Sequence, residues 1–225
     1  MPYRLLVRAA SRATGRLGWL RGALGALIGI ALAAAAGRAL AAALPDFPWL
    51  LAPLGASAVL VFAVPASPLA QPWPVIGGNL LSALTGLVVH TVVPAPLLAG
   101  ALAVAGAIAV MSLARCLHPP GGACALLGAA AGPAIAAHGW GALLLPLALN
   151  LAALALGGWL YNTLTGHAWP HRLKAPAPAP DPRYDAADLD AVLEQWDEVL
   201  DISRDDLDAL FRAVERRADQ RRAQR

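Results

Sequence analysis

The sequence predicts an all-α protein: a polytopic membrane helix bundle of four long spans plus two short broken helices, with a C-terminal helical hairpin. Three observations predict it. Between Gly22 and His171 the only Asp, Glu, Lys or Arg side chains are Arg38, Asp46 and Arg115. Charges are shed in this way where each one would cost about 3 kcal/mol to place near a bilayer centre. Charged residues make up 14 % of the chain, against about a quarter in a soluble domain, and most of them lie at the two ends. The second observation is a set of four apolar runs long enough to cross about 30 Å of hydrocarbon, which takes about 20 helical residues. The third is a pair of shorter apolar stretches, each bracketed by Pro or Gly, that read alike.

Residues 1–21 carry Arg4, Arg8, Arg12, Arg16 and Arg21 and no acid, with Leu5, Leu6, Leu17, Trp19 and Leu20 among them. This is the pattern of a basic interfacial helix on the cytoplasmic leaflet. The competing reading is a secretory signal, but the apolar run from Gly22 to Leu44 exceeds the roughly 7–15 residues of a signal core. Residues 22–171 form the predicted transmembrane domain, with spans at Gly22–Ala43, Val75–Val93, Pro96–Leu113 and Leu143–Tyr161. Leu54–Val64 and Gly121–Ala131 are each too short to cross alone as regular helices.

The two short stretches share Pro-x-Gly-Ala-(Ser/Cys)-Ala-apolar-Leu, as Pro53-Leu-Gly-Ala-Ser57-Ala-Val-Leu60 and Pro120-Gly-Gly-Ala-Cys124-Ala-Leu-Leu127. In the following long helices Asn79-Leu80 with Gly86 matches Asn150-Leu151 with Gly157. The pattern indicates an internal duplication of a unit made of long helix, broken segment and long helix. If the broken segments complete crossings, the chain crosses six times and the repeats are inverted; if they dip and return, it crosses four times. Only Arg115 changes side between the two, and the positive-inside rule then favours six.

Beyond the last span, residues 172–184 alternate Pro with Ala, as an extended polyproline spacer does. Residues 185–225 are predicted to form a cytoplasmic helical hairpin. Leu189, Val192, Leu193, Trp196, Val199 and Leu200, then Leu207, Leu210, Phe211 and Val214, recur at helical spacing. Asp185 with Asp188 and Ser203 with Asp206 have capping-box spacing. Arg172, Lys174 and Arg183 follow the last span and place the tail in the cytoplasm. The expected location is therefore a bacterial inner membrane with both termini cytoplasmic.

The run Met111-Ser-Leu-Ala-Arg-Cys-Leu-His118-Pro119-Pro120-Gly121-Gly122-Ala123 resembles the signature of the HPP family of integral membrane proteins, named for its His-Pro-Pro triplet. Pro53 to Ser57, Ala63 to Pro72 and Val75-Ile-Gly-Gly-Asn79 are similar to the family's other long motif, and the resemblance covers Leu20 to Tyr161. It implies a four-helix-spanning protein and, because plant and cyanobacterial relatives are implicated in nitrite transport, a transporter. Cys124 departs from the pattern, which has a small polar residue such as Thr there.

From the residues themselves, Pro119 and Pro120 suit a helix start, and Gly121 and Gly122 admit a ligand to bare backbone. Helix N-termini attract anions through unpaired N–H groups and the positive dipole end. Gly55, Ala56 and Ser57 offer a second such start, with His118 as proton carrier or anion partner and Asn79 as a polar neighbour. The alternatives are that Pro and Gly serve helix packing, that His118 caps a carbonyl, and that Asn79 and Asn150 are interhelical hydrogen-bond glue.

Cys116, His118 and Cys124 match no compact metal motif, so no metal and no cofactor are expected. No phosphate loop, catalytic triad or membrane carboxylate pair is present, so no enzymatic activity is expected. The partners expected are membrane lipid, a small anion and further copies of the chain, and no nucleic acid. The function expected is a secondary transporter or channel for a small anion. The alternative is a membrane assembly or regulatory protein whose tail hairpin recruits a partner.

Overall fold

The computed structural model describes residues 2–43, 48–130, 132–172, 184–196 and 200–224, with the backbone alone for 2–17, 43, 133 and 134. Among these the secondary structure is entirely helical. The chain forms two compact units, residues 1–170 and 171–225, and each is described by itself. Of the predicted proline spacer 172–184, residues 173–183, Lys174 and Arg183 among them, lie outside the described residues, as do Asp46, Ala131 and Val199.

The first unit contains α1 (Pro2–Ala43), α2 (Pro53–Ala63), α3 (Asn79–Val92), α4 (Pro96–Leu113), α5 (Gly121–Ala130), α6 (Pro133–His138) and α7 (Gly141–Leu164). A 3₁₀ turn at Pro68–Ala70 and a π turn at Pro74–Gly78 lead into α3. Four helical stretches are long and apolar enough to cross a membrane: Gly18–Ala42, Pro74–Val92, Pro96–Leu113 and Gly141–Leu164. Their outward faces carry exposed Leu27, Val92, Leu97 and Leu156. Helices apolar all round belong in lipid, where every backbone polar group must be bonded internally.

Packing gives the direction of each helix. A Cβ on Gly22 would lie 3.2 Å from Ala63, and on Gly37 it would collide with the Trp49 carbonyl. The end of α2 therefore lies beside the start of the α1 span, and α2 runs back against α1. The α7 helix does the same: Tyr161 Oη donates to the Arg21 carbonyl at 2.7 Å, and Asn150 Nδ2 donates to the Ala33 carbonyl at 3.1 Å.

The start of α3 is joined to the end of α4 by Trp73 Nε1 donating to the Ala114 carbonyl at 3.0 Å. The α5 helix runs with α3, Gly121 lying beside Gly78 and Ala129 beside His90, so α4 opposes both. The chain therefore passes through the bundle thickness six times, the two short helices completing passes that irregular backbone begins.

The six passes form an up-down-up unit followed by a down-up-down unit. Exchanging α1, α2 and α3 with α4, α5 and α7 carries the α1–α2 contact onto α4–α5 and the α1–α7 contact onto α4–α3. Both short helices also open alike. Leu54 and Gly55 N–H groups bond the Leu51 and Ala52 carbonyls (3.1 and 3.0 Å), and those of Gly121 and Gly122 bond His118 and Pro119 (2.8 and 3.1 Å). The aligned asparagines differ. Asn79 faces the two short helices, whereas Asn150 bonds the Ala33 and Trp49 carbonyls.

On the face where α1 and α7 meet, Arg21 bonds Asn162 Oδ1, Thr165 Oγ1 and the Phe62 carbonyl at 2.9–3.1 Å. A cation there satisfies a carbonyl in the last turn of α2 and faces its negative dipole end. Phe62 in turn lies edge-on to Tyr161, 5.8 Å between centroids, in a slot left by Gly25 and Gly29. Arg115, which follows the Ala114 carbonyl that Trp73 bonds, lies on the same face as the loop between α2 and α3.

The second unit pairs α8 (Ala186–Trp196) with α9 (Arg204–Arg222). Both predicted caps form. Asp185 and Asp188 exchange backbone N–H to carboxylate bonds of 2.9 Å in both directions, and Ser203 Oγ accepts from the Asp206 N–H at 3.1 Å. Arg204 bonds Asp190 through two nitrogens, and Arg212 bonds Asp208 at 2.7 Å.

These arginines, through their hydrogen bonds first, hold the Asp190 and Asp208 carboxyls below the usual carboxylate range. A depressed folded-state pKa contributes stability that is present above the unfolded value of about 3.9 and is lost as pH falls through the folded value. Hydrogen exchange in α8 and α9, corrected for intrinsic rate, is therefore expected to speed up as pH drops below about 4, and Arg204→Met is expected to weaken that response. Protection independent of pH down to about 2 would contradict the linkage.

Candidate functional site

The α2 helix, the start of α3 and the turn into α5 meet in a buried polar chain. The π turn holds Asn79 at the head of α3, where its Nδ2 donates to the Val75 carbonyl at 2.7 Å and to Ser57 Oγ at 3.1 Å. Ser57, one turn into α2, lies 2.9 Å from His118 Nε2. His118 Nδ1 lies 2.8 Å from the Leu69 carbonyl. Cys124 Sγ, on α5, donates to Asn79 Oδ1 at 3.1 Å. Ser57, Asn79, His118 and Cys124 are each at most 1 % exposed.

The bonds define their own directions. A carbonyl only accepts, so His118 carries its proton on Nδ1 and accepts at Nε2 from the Ser57 hydroxyl. That hydroxyl accepts from Asn79, whose amide oxygen accepts from the Cys124 thiol. The chain is complete from Cys124 to Leu69. At this degree of burial, a group left unmatched would cost about 1–3 kcal/mol.

The remaining site residues expected from the sequence take other positions. Pro120 is buried, Pro119 exposed and Gly122 half-buried. Gly55 and Ala56 are exposed, and neither Gly55 nor Gly122 has a neighbour within 4 Å of an added Cβ. Gly121 is packed. An added Cβ there would stand 2.6 Å from Ser82 Oγ and 3.0 Å from both the Gly78 carbonyl and Met111 Sδ. Ser82 Oγ itself is buried without a hydrogen-bond partner. Gly121 therefore brings α5 against α3 and α4 instead of offering its backbone to a ligand.

The expected free N–H groups at the α5 start are likewise absent. Pro119 and Pro120 have none, and those of Gly121, Gly122 and Ala123 bond the carbonyls of His118, Pro119 and Pro120 at 2.8–3.1 Å. The His-Pro-Pro-Gly-Gly sequence thus closes its own helix start, removing the orphan donors that usually make such a terminus an anion site. The donors in this region are side chains.

Sequence reasoning missed two participants in the chain. The Leu69 carbonyl carried no signal, since a backbone group has no residue type. Cys124 appeared as a departure from a pattern, yet its thiol supplies the donor that Asn79 Oδ1 requires. Outside that chain, His90 meets the Ala129 carbonyl through Nδ1 at 3.0 Å and ties α3 to the far end of α5. Among the described residues, no three His, Cys, Asp or Glu side chains converge as a metal site would require.

Alternating helix directions, two half-length helices and a buried polar chain joining them describe an integral membrane protein of the polytopic helical class. The chain belongs to the HPP family: residues 12–170 match the model of the HPP transmembrane region. It is similar to two transmembrane proteins of Dictyostelium discoideum. One is 45 % identical over 82 residues, 35 % of this chain and 29 % of the relative. The other is 42 % identical over 83 residues, 35 % of this chain and 27 % of the relative. The chain thus aligns with less than a third of the length of either relative. No solved structure matches it.

Proposed function

We propose that this protein is a secondary carrier for a small anion, nitrite being the substrate that the family resemblance suggests, and that it has no enzymatic activity. The observation that carries the reading is the Ser57–His118 bond, 2.9 Å long and buried among apolar helices. It fastens α2, in the first three-helix unit, to the turn that opens α5 in the second. Polar and ionisable groups at such depth are costly, and in membrane proteins they mark solute paths.

In carriers built from inverted repeats, one unit rocks against the other around a site at their junction. Here that motion must break the bond between Ser57 and His118. Once it is broken, the Ser57 hydroxyl is the donor released to a small anion, beside the Asn79 amide that bonds Ser57 and Val75, while the His118 Nδ1–H stays on the Leu69 carbonyl. The bonded state described here is the closed one.

The protein resides in a bacterial inner membrane with both termini in the cytoplasm. The ends of the first and last passes share one face, and the positive-inside rule places that face inward. Its partners are membrane lipid, the anion and further copies of the chain. A specific observation favours a second reading, in which the tail recruits a partner: Val192, Trp196, Phe211 and Val214 on the hairpin are all exposed.

The deciding experiment is uptake by the purified full-length chain in proteoliposomes, with nitrite, nitrate and chloride offered in turn. Saturable nitrite entry without ATP is expected. Entry no faster than in protein-free vesicles for all three anions would overturn the carrier reading and leave the assembly role.

A further inference from the structure

Trp169 follows α7 and is 3 % exposed. Its ring packs within the main apolar core and lies 3.7 Å from where a Cβ on Gly158 would stand. Its indole Nε1 donates to the Ala70 carbonyl at 2.9 Å. A buried indole N–H needs a partner, and the choice of partner is informative. Pro68–Ala70 is a single 3₁₀ turn, opened by Ser67 Oγ accepting from the Leu69 N–H at 3.1 Å.

The last carbonyls of so short a helix have no intrahelical donors. Two of them are met by side chains from distant parts of the sequence: Leu69 by His118 at 2.8 Å and Ala70 by Trp169 at 2.9 Å. Gln71 holds the same loop, its Nε2 donating to the Pro65 and Ser67 carbonyls at 3.0 and 2.7 Å.

From this juxtaposition we infer that Trp169 is a positioning residue for His118. It fixes the Leu69–Ala70 peptides, and the Leu69 carbonyl fixes the tautomer and ring orientation of His118, which presents Nε2 to Ser57. The bond to the far ring nitrogen decides which nitrogen of a histidine carries the proton. Without the indole N–H, the Ala70 carbonyl lacks its partner, the turn loses its C-terminal anchor, and His118 is no longer held to one tautomer. The tail unit begins at His171, two residues further on.

This inference rests on the carrier reading for its functional consequence but not for its test. Imidazole nitrogen resonances of ¹⁵N-histidine-labelled full-length protein in nanodiscs, with the His118 signals identified by their loss in His118→Gln, report the tautomer directly. The wild type is expected to show a protonated Nδ1 and a bare Nε2. In Trp169→Phe, which keeps an aromatic ring and removes the N–H, the two signals are expected to shift toward a tautomer mixture, in a protein that still unfolds cooperatively but at a lower temperature because the Ala70 carbonyl has lost its donor.

Ser67→Ala loosens the same turn from its other end without touching Trp169, and the same shift is expected. It keeps the test decisive if Trp169→Phe does not fold. His118 signals unchanged in the folded variants would overturn the inference and leave Trp169 as packing alone. A shifted tautomer in a protein that carries no anion would uphold the positioning role and overturn the carrier reading. A shifted tautomer with nitrite uptake reduced about tenfold, the effect of some 1.4 kcal/mol, would uphold both.

Discussion

Gly86→Ala is expected to destabilise the membrane unit by about 1–3 kcal/mol or more, the scale of overpacking in a close-packed interior, whereas Gly122→Ala leaves it unchanged. A Cβ at Gly86 would stand 2.0 Å from the Ala125 carbonyl and 3.0 Å from the Ala129 nitrogen. Both are helix backbone, so no side chain can turn aside, and α3 and α5 must separate. The contact is reciprocal: a Cβ at Gly128 would stand 2.5 Å from the Ala83 carbonyl and 2.7 Å from the Leu87 nitrogen.

In lipid, where tails are as apolar as leucine, close backbone approach of this kind drives helix association. Separating the pair therefore removes dispersion contact along the whole of α5. Thermal unfolding can be followed by a thiol-reactive dye, because Cys116 and Cys124 are both buried in the fold. A Gly86→Ala protein that melts with the wild type would show that α3 and α5 are not held by this crossing.

On the proposed carrier reading, Ser57→Ala and His118→Gln are each expected to abolish most nitrite uptake, by about tenfold or more, and the double variant to lose scarcely more than either single one. Ser57→Ala leaves one Asn79 N–H and His118 Nε2 unmatched in a buried interior, where each such group costs about 1–3 kcal/mol. His118→Gln removes a ring that serves two partners 2.9 and 2.8 Å away in different elements. Two residues of one hydrogen-bonded chain are not independent, so their effects should fail to add. Full uptake by Ser57→Ala would remove the bond from the mechanism. Strictly additive losses would make it two unrelated sites.

Gly121 and Gly122, adjacent and identical in type, show where sequence reading stops. At sequence level both are glycines at a helix start, and both read as places where a ligand approaches bare backbone. In the fold one faces Ser82, Gly78 and Met111 while the other faces open space. Successive helix positions point about 100° apart, and only the neighbours determine which direction is crowded. Neighbours alone likewise separate Asn79 from Asn150. The two align in the repeat, yet Asn79 joins the polar chain and Asn150 caps carbonyls of α1 and its following loop.

The charge desert, the four spans, the paired short segments, the family motif and the tail caps all follow from the sequence alone. Each depends on composition or on spacing within one turn of helix, and lipid leaves few ways to satisfy an apolar run. Three matters were decided only by tertiary structure: the six passes, the closed start of α5, and the meeting of Ser57, Asn79, His118 and Cys124 with the Leu69 carbonyl. Those depend on which helix lies beside which, and on backbone groups that carry no residue identity. The His-Pro-Pro triplet names the family in one dimension; its role in removing donors and aiming a ring at Ser57 exists only once α2 lies against it.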